Sequence, residues 1–355
     1  MWLSIAVILL ILLVIFQVSK ASEYVAILRG KDKAFKQSNK VNGFLLITFL
    51  VLGLIGVYWC NKILYPKTNM HLGSSSVEGE QVDTLLWITI ALTGFVFIVT
   101  QILLFWFAYK YQHKEGQKAY FYPHNSKLEI VWTTVPTIVL AILIVFGLRS
   151  WALFTGDAPK NAMQIEVTGK QFGWIFRYPG KDGVFGKKYF KNIDDGNNPL
   201  GLVWRDSAAM GQKADPATMD DIVSQSTVYI VKGKPVKFII NSRDVIHDFG
   251  LTWFRMKMDA VPGTPTTLWF TPKYTTKEMI ARTGNPNFSY EVSCDQLCGN
   301  GHYSMKGTIV VVTQAEYDEW ISKQTSAYAT AFPQTVAVAP AAPVAPSTDS
   351  TAAGK

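Results

Sequence analysis

The sequence predicts a helical membrane anchor followed by an all-β sandwich or barrel. Three observations lead there. Nearly half of the 355 residues are apolar, at 49%, while charged residues fall to 17%, against about a quarter in an average soluble domain. Four apolar runs crowd the first half of the chain. After them the pattern changes to short strand-like segments divided by Gly, Pro and Asn.

The apolar runs are Trp2–Val18, Gly43–Trp59, Leu85–Ala108 and Ile130–Leu148. A membrane-crossing helix needs about 20 apolar residues, within a range of about 17–25. The last two runs satisfy this fully, and the first two sit at its short end. Trp59, Trp87, Trp106, Trp132 and Trp151 stand near run ends, where an interfacial aromatic belt belongs. The segment Lys20–Asn42 carries Lys20, Arg29, Lys31, Lys33, Lys36 and Lys40 against Glu23 and Asp32. Tyr109–Glu129 carries Lys110, Lys114, Lys118 and Lys127 against Glu115 and Glu129. The intervening loop, Cys60–Thr84, has only Lys62 and Lys67. The positive-inside rule then puts both basic loops in the cytoplasm and everything after Trp151 outside. The first run lacks a basic leader and is followed by Lys20-Ala21-Ser22, a poor cleavage site, so it reads as a retained helix.

The formal net charge is +8. Between Ala152 and Thr330 there are 20 Lys and Arg against 18 Asp and Glu, so the excess lies in the membrane half. That is a topology signal and not a nucleic-acid footprint, which would need basic residues clustered on one folded face. Three cysteines, Cys60, Cys294 and Cys298, make no disulfide framework.

Expected strands are Met163–Val167, Phe172–Tyr178, Thr227–Val231, Val236–Asn241, Thr267–Phe270, Glu278–Arg282, Phe288–Ser293 and Thr308–Val312. A helix follows at Gln314–Lys323, with Thr313 as its cap. Residues 181–226 are polar and Gly/Asp-rich and read as an insertion. Residues 331–355 are Ala, Pro, Ser and Thr without periodicity and read as a disordered tail. The domains expected are 1–60 and 85–150 in the membrane and 152–330 outside it.

Chemistry concentrates in Cys294-Asp-Gln-Leu-Cys298-Gly-Asn-Gly-His302-Tyr-Ser-Met305. Two thiols, an imidazole and a thioether within one loop form a soft donor set that selects copper, whereas calcium and magnesium take oxygen ligands. One thiolate with His and Met would suit a mononuclear blue-copper site. Two thiolates can bridge a pair of coppers, which then needs a second imidazole. The soluble half offers only His247 besides His302. The bland readings are a short-loop disulfide between Cys294 and Cys298 and a core methionine at Met305. Cys60, His71, His113 and His124 read as inert.

The Cys294–Met305 segment resembles the copper loop of cytochrome c oxidase subunit II, and the resemblance extends over about Leu85–Lys323. Ser242-Arg-Asp-Val-Ile-His247, Lys257-Met-Asp259-Ala-Val-Pro-Gly263 and Leu128-Glu129-Ile-Val-Trp132-Thr-Thr-Val-Pro136 resemble further family segments. The resemblance implies a membrane hairpin and a cupredoxin-like Greek-key sandwich on the outer, periplasmic side of a bacterial inner membrane. It implies a two-copper centre held by His247, Cys294, the backbone carbonyl of Gln296, Cys298, His302 and Met305. Cytochrome c, soluble or tethered, would donate electrons. A haem in subunit I would receive them, and oxygen chemistry and proton pumping belong there. Glu129 would lie at the mouth of a proton channel shared with subunit I.

Three departures follow. Position 296 is Gln where many members have Glu, whose carboxylate binds magnesium at the subunit I boundary. Phe172, in Gly169-Lys-Gln-Phe172-Gly-Trp174, stands where the family's electron-accepting Trp usually sits; Phe172 and Trp174 are alternatively core aromatics. The first two apolar runs are additional and suggest further oxidase subunits or another respiratory complex as partners. Asp244 and residues 181–226 are candidates for the donor's docking face. The rivals are a membrane-tethered copper chaperone, expected to show βαβ alternation and no equivalent of Met305, and a quinol oxidase subunit, which lacks the cysteines. A nitrous-oxide reductase would need a further catalytic domain.

Overall fold

Apolar composition builds one part of the molecule and strand pairing the other. The computed structural model describes residues 2–114, 116–208 and 211–333 and divides into two units. One unit holds residues up to 71 together with 84–146, and the other holds 72–83 together with 147 onward.

The first unit is helical: α1 (Trp2–Arg29), α2 (Lys31–Leu64), α3 (Gly79–Lys110) and the start of α4 (Ser126–Thr155). All four helices are long and apolar enough to cross a membrane. They outrun the apolar stretches because a helix keeps satisfying its own backbone beyond the hydrocarbon. The 32 residues of α3 rise about 48 Å, against about 30 Å of hydrocarbon. A single residue, Gly30, separates α1 from α2. Its φ of 86° is open to glycine at little cost.

The second unit is a sandwich of two five-stranded sheets, ordered β3-β2-β1-β5-β8 and β4-β10-β9-β6-β7. The strands are β1 (Met163–Lys170), β2 (Gly173–Tyr178), β3 (Ile222–Gln225), β4 (Thr227–Val231), β5 (Val236–Ser242), β6 (His247–Leu251), β7 (Met256–Ala260), β8 (Thr266–Phe270), β9 (Tyr290–Cys294) and β10 (Lys306–Val312). Pairing is mostly antiparallel, but β1 runs parallel to β5 and β10 parallel to β4. Inward residues alternate as the pleat requires. Ile165, Val167, Trp174, Phe176, Phe238, Phe249, Tyr290 and Ile309 all enter one core.

The outward residues of β1 and β2 are also buried, because residues 181–221 fold over them as a third layer. Ile175 packs with Leu200, Leu202 and Trp204, and Tyr328 and Phe332 close this smaller cluster. Beside it Arg177, 1% exposed, donates to Glu166 (2.9 Å), Asp221 (2.5 Å) and the carbonyl of Gly186 (2.7 Å). Packing therefore continues to Phe332, while residues 334–355 of the expected tail lie outside the described residues.

Three sequence expectations need correction. Glu278–Arg282, read as a strand, lies in helix α5 (Thr276–Thr283). Thr275 and Glu278 form a reciprocal capping box there, a helix-start signal that outweighs a loose alternation. Strand β3 falls inside the expected insertion. Strands β6 and β7 were not expected at all: β6 is buried on both faces, so His-Asp-Phe-Gly-Leu shows no alternation to read. The helix expected at Gln314–Lys323 is α6 (Gln314–Ser322), with Thr313 in its own capping box. A short α7 (Ala327–Ala331) follows.

The loop between α2 and α3 also departs from expectation. Residues 72–83 belong to the sandwich unit. Ser75 N donates to Trp253 O (2.8 Å), Val77 N to Thr271 O (3.0 Å), and Glu78 accepts from Thr271 N (2.7 Å). Arg255 and Asp83 pair at 2.7 Å.

Candidate metal centre

The donors reach one place because two strands are neighbours. Strand β9 alternates Tyr290, Val292 and Cys294 inward, so its last residue delivers a thiol to the core edge. Strand β6 pairs with β9 in the register Phe249↔Cys294, and its first residue is His247. The imidazole Nδ1 of His247 lies 3.8 Å from Cys294 Sγ. Gly169 makes room for it, since a Cβ there would stand 2.8 Å from the ring.

The chain between β9 and β10 supplies the rest. Cys298 Sγ lies 3.7 Å from Cys294 Sγ, 3.7 Å from His302 Nδ1 and 3.8 Å from Met305 Sδ. The Gln296 carbonyl oxygen is 3.1 Å from Cys294 Sγ. His247, Cys294 and Met305 are buried, and so is Cys298. Ligand atoms of His247, Cys294 and Cys298 fall within 4.8 Å of one another. All six residues singled out in the sequence thus converge.

Both cysteines are free, and their sulfur separation is far beyond the roughly 2.05 Å of a disulfide. Burial, then the neighbouring Cys294, raises the Cys298 thiol to about 11. Two thiols, two imidazoles, a thioether and a carbonyl packed at such distances fit a copper site: soft sulfur and imidazole, with no carboxylate among them.

The surroundings fix the donors. Asp244 Oδ1 lies 2.8 Å from His247 Nε2, so the ring carries its proton there and turns Nδ1 to the sulfurs. The other oxygen of Asp244 accepts from Gln171 N (2.7 Å). Burial works to raise this carboxyl, but the hydrogen bonds from Gln171 and His247 outweigh it and hold it below the usual range. Gln171 Nε2 donates to Cys298 O at 2.6 Å. Asp244 and Gln171 as donor-orienting groups escape a reading by ligand type. Their only sequence signals are an acid three residues before His247 and an amide beside Phe172.

Phe172 and Trp174 have different surroundings. The Phe172 ring, on a residue 42% exposed, lies over Gly299 and Gly301, and a Cβ on Gly301 would strike it at 2.5 Å. Trp174 is buried, 6.1 Å from the His247 ring and 5.3 Å from Phe249. Leu297 and Tyr303 are strongly exposed beside the donors. Glu129 is elsewhere, in the first turn of α4, where its carboxylate accepts from Asn125 N at 3.2 Å.

Residues 67–150 match the family described as cytochrome c oxidase subunit II, transmembrane domain, and residues 163–313 match its periplasmic domain. The chain belongs to the cytochrome c oxidase subunit II family. The alternative cytochrome c oxidase subunit 2 of Bradyrhizobium diazoefficiens is 36% identical over 245 residues, covering 68% of this chain and 80% of that one. The cytochrome c oxidase subunit 2 of Cereibacter sphaeroides is 26% identical over 255 residues, covering 70% and 78%. The crystal structure of the periplasmic domain of subunit II from Bradyrhizobium japonicum is 24% identical, covers 47% of this chain and 95% of that one, and gives a TM-score of 0.30. As a subunit II, the chain is an electron-transfer component of a haem–copper oxidase enzyme, and its His/Cys/Cys group fits copper binding. Four membrane-length helices join a cupredoxin-like sandwich. That architecture leaves no room for the βαβ chaperone, and the cysteines set the chain apart from a quinol oxidase subunit.

Proposed function

We propose that this subunit carries electrons from a cytochrome c to a haem of subunit I, and that its donor group holds two copper ions for that task. The observation that supports this reading most is the convergence of His247, Cys294 and Cys298 within 4.8 Å. His302, Met305 and the Gln296 carbonyl would complete the donor set. Such a pair, when bound, supplies reversible one-electron storage with little change of geometry.

The chain's own residues do the rest. Asp244 holds the proton of His247 on Nε2. Gln171 ties the β1–β2 hairpin to the Cys298 carbonyl. Burial of the sulfurs keeps water from them, which favours a site that exchanges electrons and not ligands. Phe172, Leu297 and Tyr303 form an exposed apolar rim where a donor's haem edge would dock. The near balance of charge in residues 152–330 argues for weak electrostatic steering of that donor. At the subunit I boundary Gln296 offers an amide in place of a carboxylate, so a magnesium ion there would depend on groups from subunit I. Glu129 we place at the mouth of a proton path shared with that subunit. By the charge of the loops, the copper domain lies on the periplasmic side of the inner membrane.

The test is EPR of the full chain in mild detergent with a measured copper-to-protein ratio. Two coppers per chain sharing one unpaired electron are expected. One copper without a shared signal, or no copper under reducing conditions, would overturn the reading.

A further inference from the structure

We infer that α2, the second of the two added helices, builds with the end of α3 a binding site for the phosphate of an anionic phospholipid. Helices α2 and α3 meet at successive levels. Phe49 and Phe105 pair at 5.7 Å between ring centres. One level along, Gly43 is the one fully buried residue of α2 among the described residues. A Cβ there would stand 3.1 Å from the Tyr109 ring and collide with Gln112. Beyond it, Asn39 Nδ2 donates to His113 O (3.3 Å) and Phe35 meets the His113 ring edge-on at 5.4 Å.

This packing brings two basic segments together at one membrane level. Lys33, Lys36 and Lys40 stand at i, i+3 and i+7 on α2, and Lys40 follows Asn39 directly. Lys110 ends α3, and Lys114 follows His113. All five are exposed. Among the described residues, Lys33, Lys40, Lys110 and Lys114 ion-pair with no carboxylate; the one acid beside them on α2 is the exposed Asp32, next to Lys33.

Depth identifies the occupant. The 34 residues of α2 rise about 51 Å, some 20 Å more than the hydrocarbon core. Its apolar stretch begins at Gly43 and that of α3 ends at Ala108. Lys40, Lys110 and Lys114 therefore sit in the headgroup layer, with Tyr109 and Tyr111 at the same level as interfacial aromatics. A phosphodiester there meets the cations of Lys40, Lys110 and Lys114 together. A soluble acidic segment would have to reach into the lipid interface to find them.

The experiment is native mass spectrometry of the full chain released from nanodiscs that mix phosphatidylcholine with phosphatidylglycerol. Phosphatidylglycerol should be retained preferentially, and excess inorganic phosphate should not displace it. The double variant K40Q/K114Q should lower retention by roughly tenfold or more. K187Q/K191Q, in the soluble domain, should leave it unchanged. Both variants should keep the wild-type copper-to-protein ratio, which reports folding of the sandwich, and the wild-type helical circular dichroism, which reports folding of the helices. Equal retention of the two lipids, wild-type retention by K40Q/K114Q, or full displacement by inorganic phosphate would overturn the site. So would displacement by a soluble acidic peptide.

Discussion

Two loops of the sandwich, 295–305 and 181–221, hold together by opposite means. The insertion carries its own cohesion: Leu200, Leu202 and Trp204 against Ile175, and Arg177 shared by Glu166, Asp221 and the Gly186 carbonyl. The donor loop has almost none of this. Its buried groups are the sulfurs of Cys298 and Met305, with Cys298 Sγ 3.7–3.8 Å from Cys294 Sγ, His302 Nδ1 and Met305 Sδ, a spacing that suits a common ion better than it suits one another. One loop is finished by the chain alone, and the other is shaped around something to be bound.

The largest effect that tests this contrast is at the ligands. Cys298→Ser should abolish the shared-electron EPR signal, and chelation of copper from the wild type should expose residues 295–305 to protease while the insertion stays protected. Equal cleavage of both loops would break the comparison. Arg177→Ala is the converse. It leaves Asp221 buried without its cation and Glu166 with the Lys188 cation alone, and should cost about 3–5 kcal/mol in denaturant unfolding. The EPR spectrum of the folded fraction should not change.

Smaller changes sharpen the picture. Asp244→Asn leaves one acceptor oxygen for the N–H groups of Gln171, Val245 and His247, so the His247 tautomer loses its fixed acceptor, and it should weaken copper retention about 10–100-fold in a chelator competition. The unfolding midpoint of the metal-free protein should move little. Phe172→Ala should slow oxidation of reduced cytochrome c by about tenfold, as loss of one central interface aromatic does, with copper content and EPR unchanged. An unaltered rate would move the electron-accepting point to Leu297 or Tyr303.

Much of the donor site was legible because Cys294, Cys298, His302 and Met305 lie within twelve residues, and because His247 was the one other histidine available in the soluble half. What orients these donors was not legible. Asp244 and Gln171 act through β1–β2 and β5–β6 connections that meet only after the sheets assemble. Among the strands, Thr227–Val231 and Thr308–Val312 announced themselves by β-branched runs, whereas β6 and β7 did not. Strand β6 is buried on both faces, and β7, Met-Lys-Met-Asp-Ala, reads as a turn until β6 pairs with it. The Thr275–Glu278 box was present in the sequence and marked a helix where weak alternation suggested a strand.

The sequence by itself determined the membrane helices, the donor types and the family, because apolar run length and soft-ligand spacing are local properties. Only the tertiary structure decided that His247 reaches Cys294, that residues 72–83 belong to the sandwich, and that the insertion buries Arg177. Each of these depends on strand register and on close approach at single residues such as Gly169, contacts made between segments far apart in the chain.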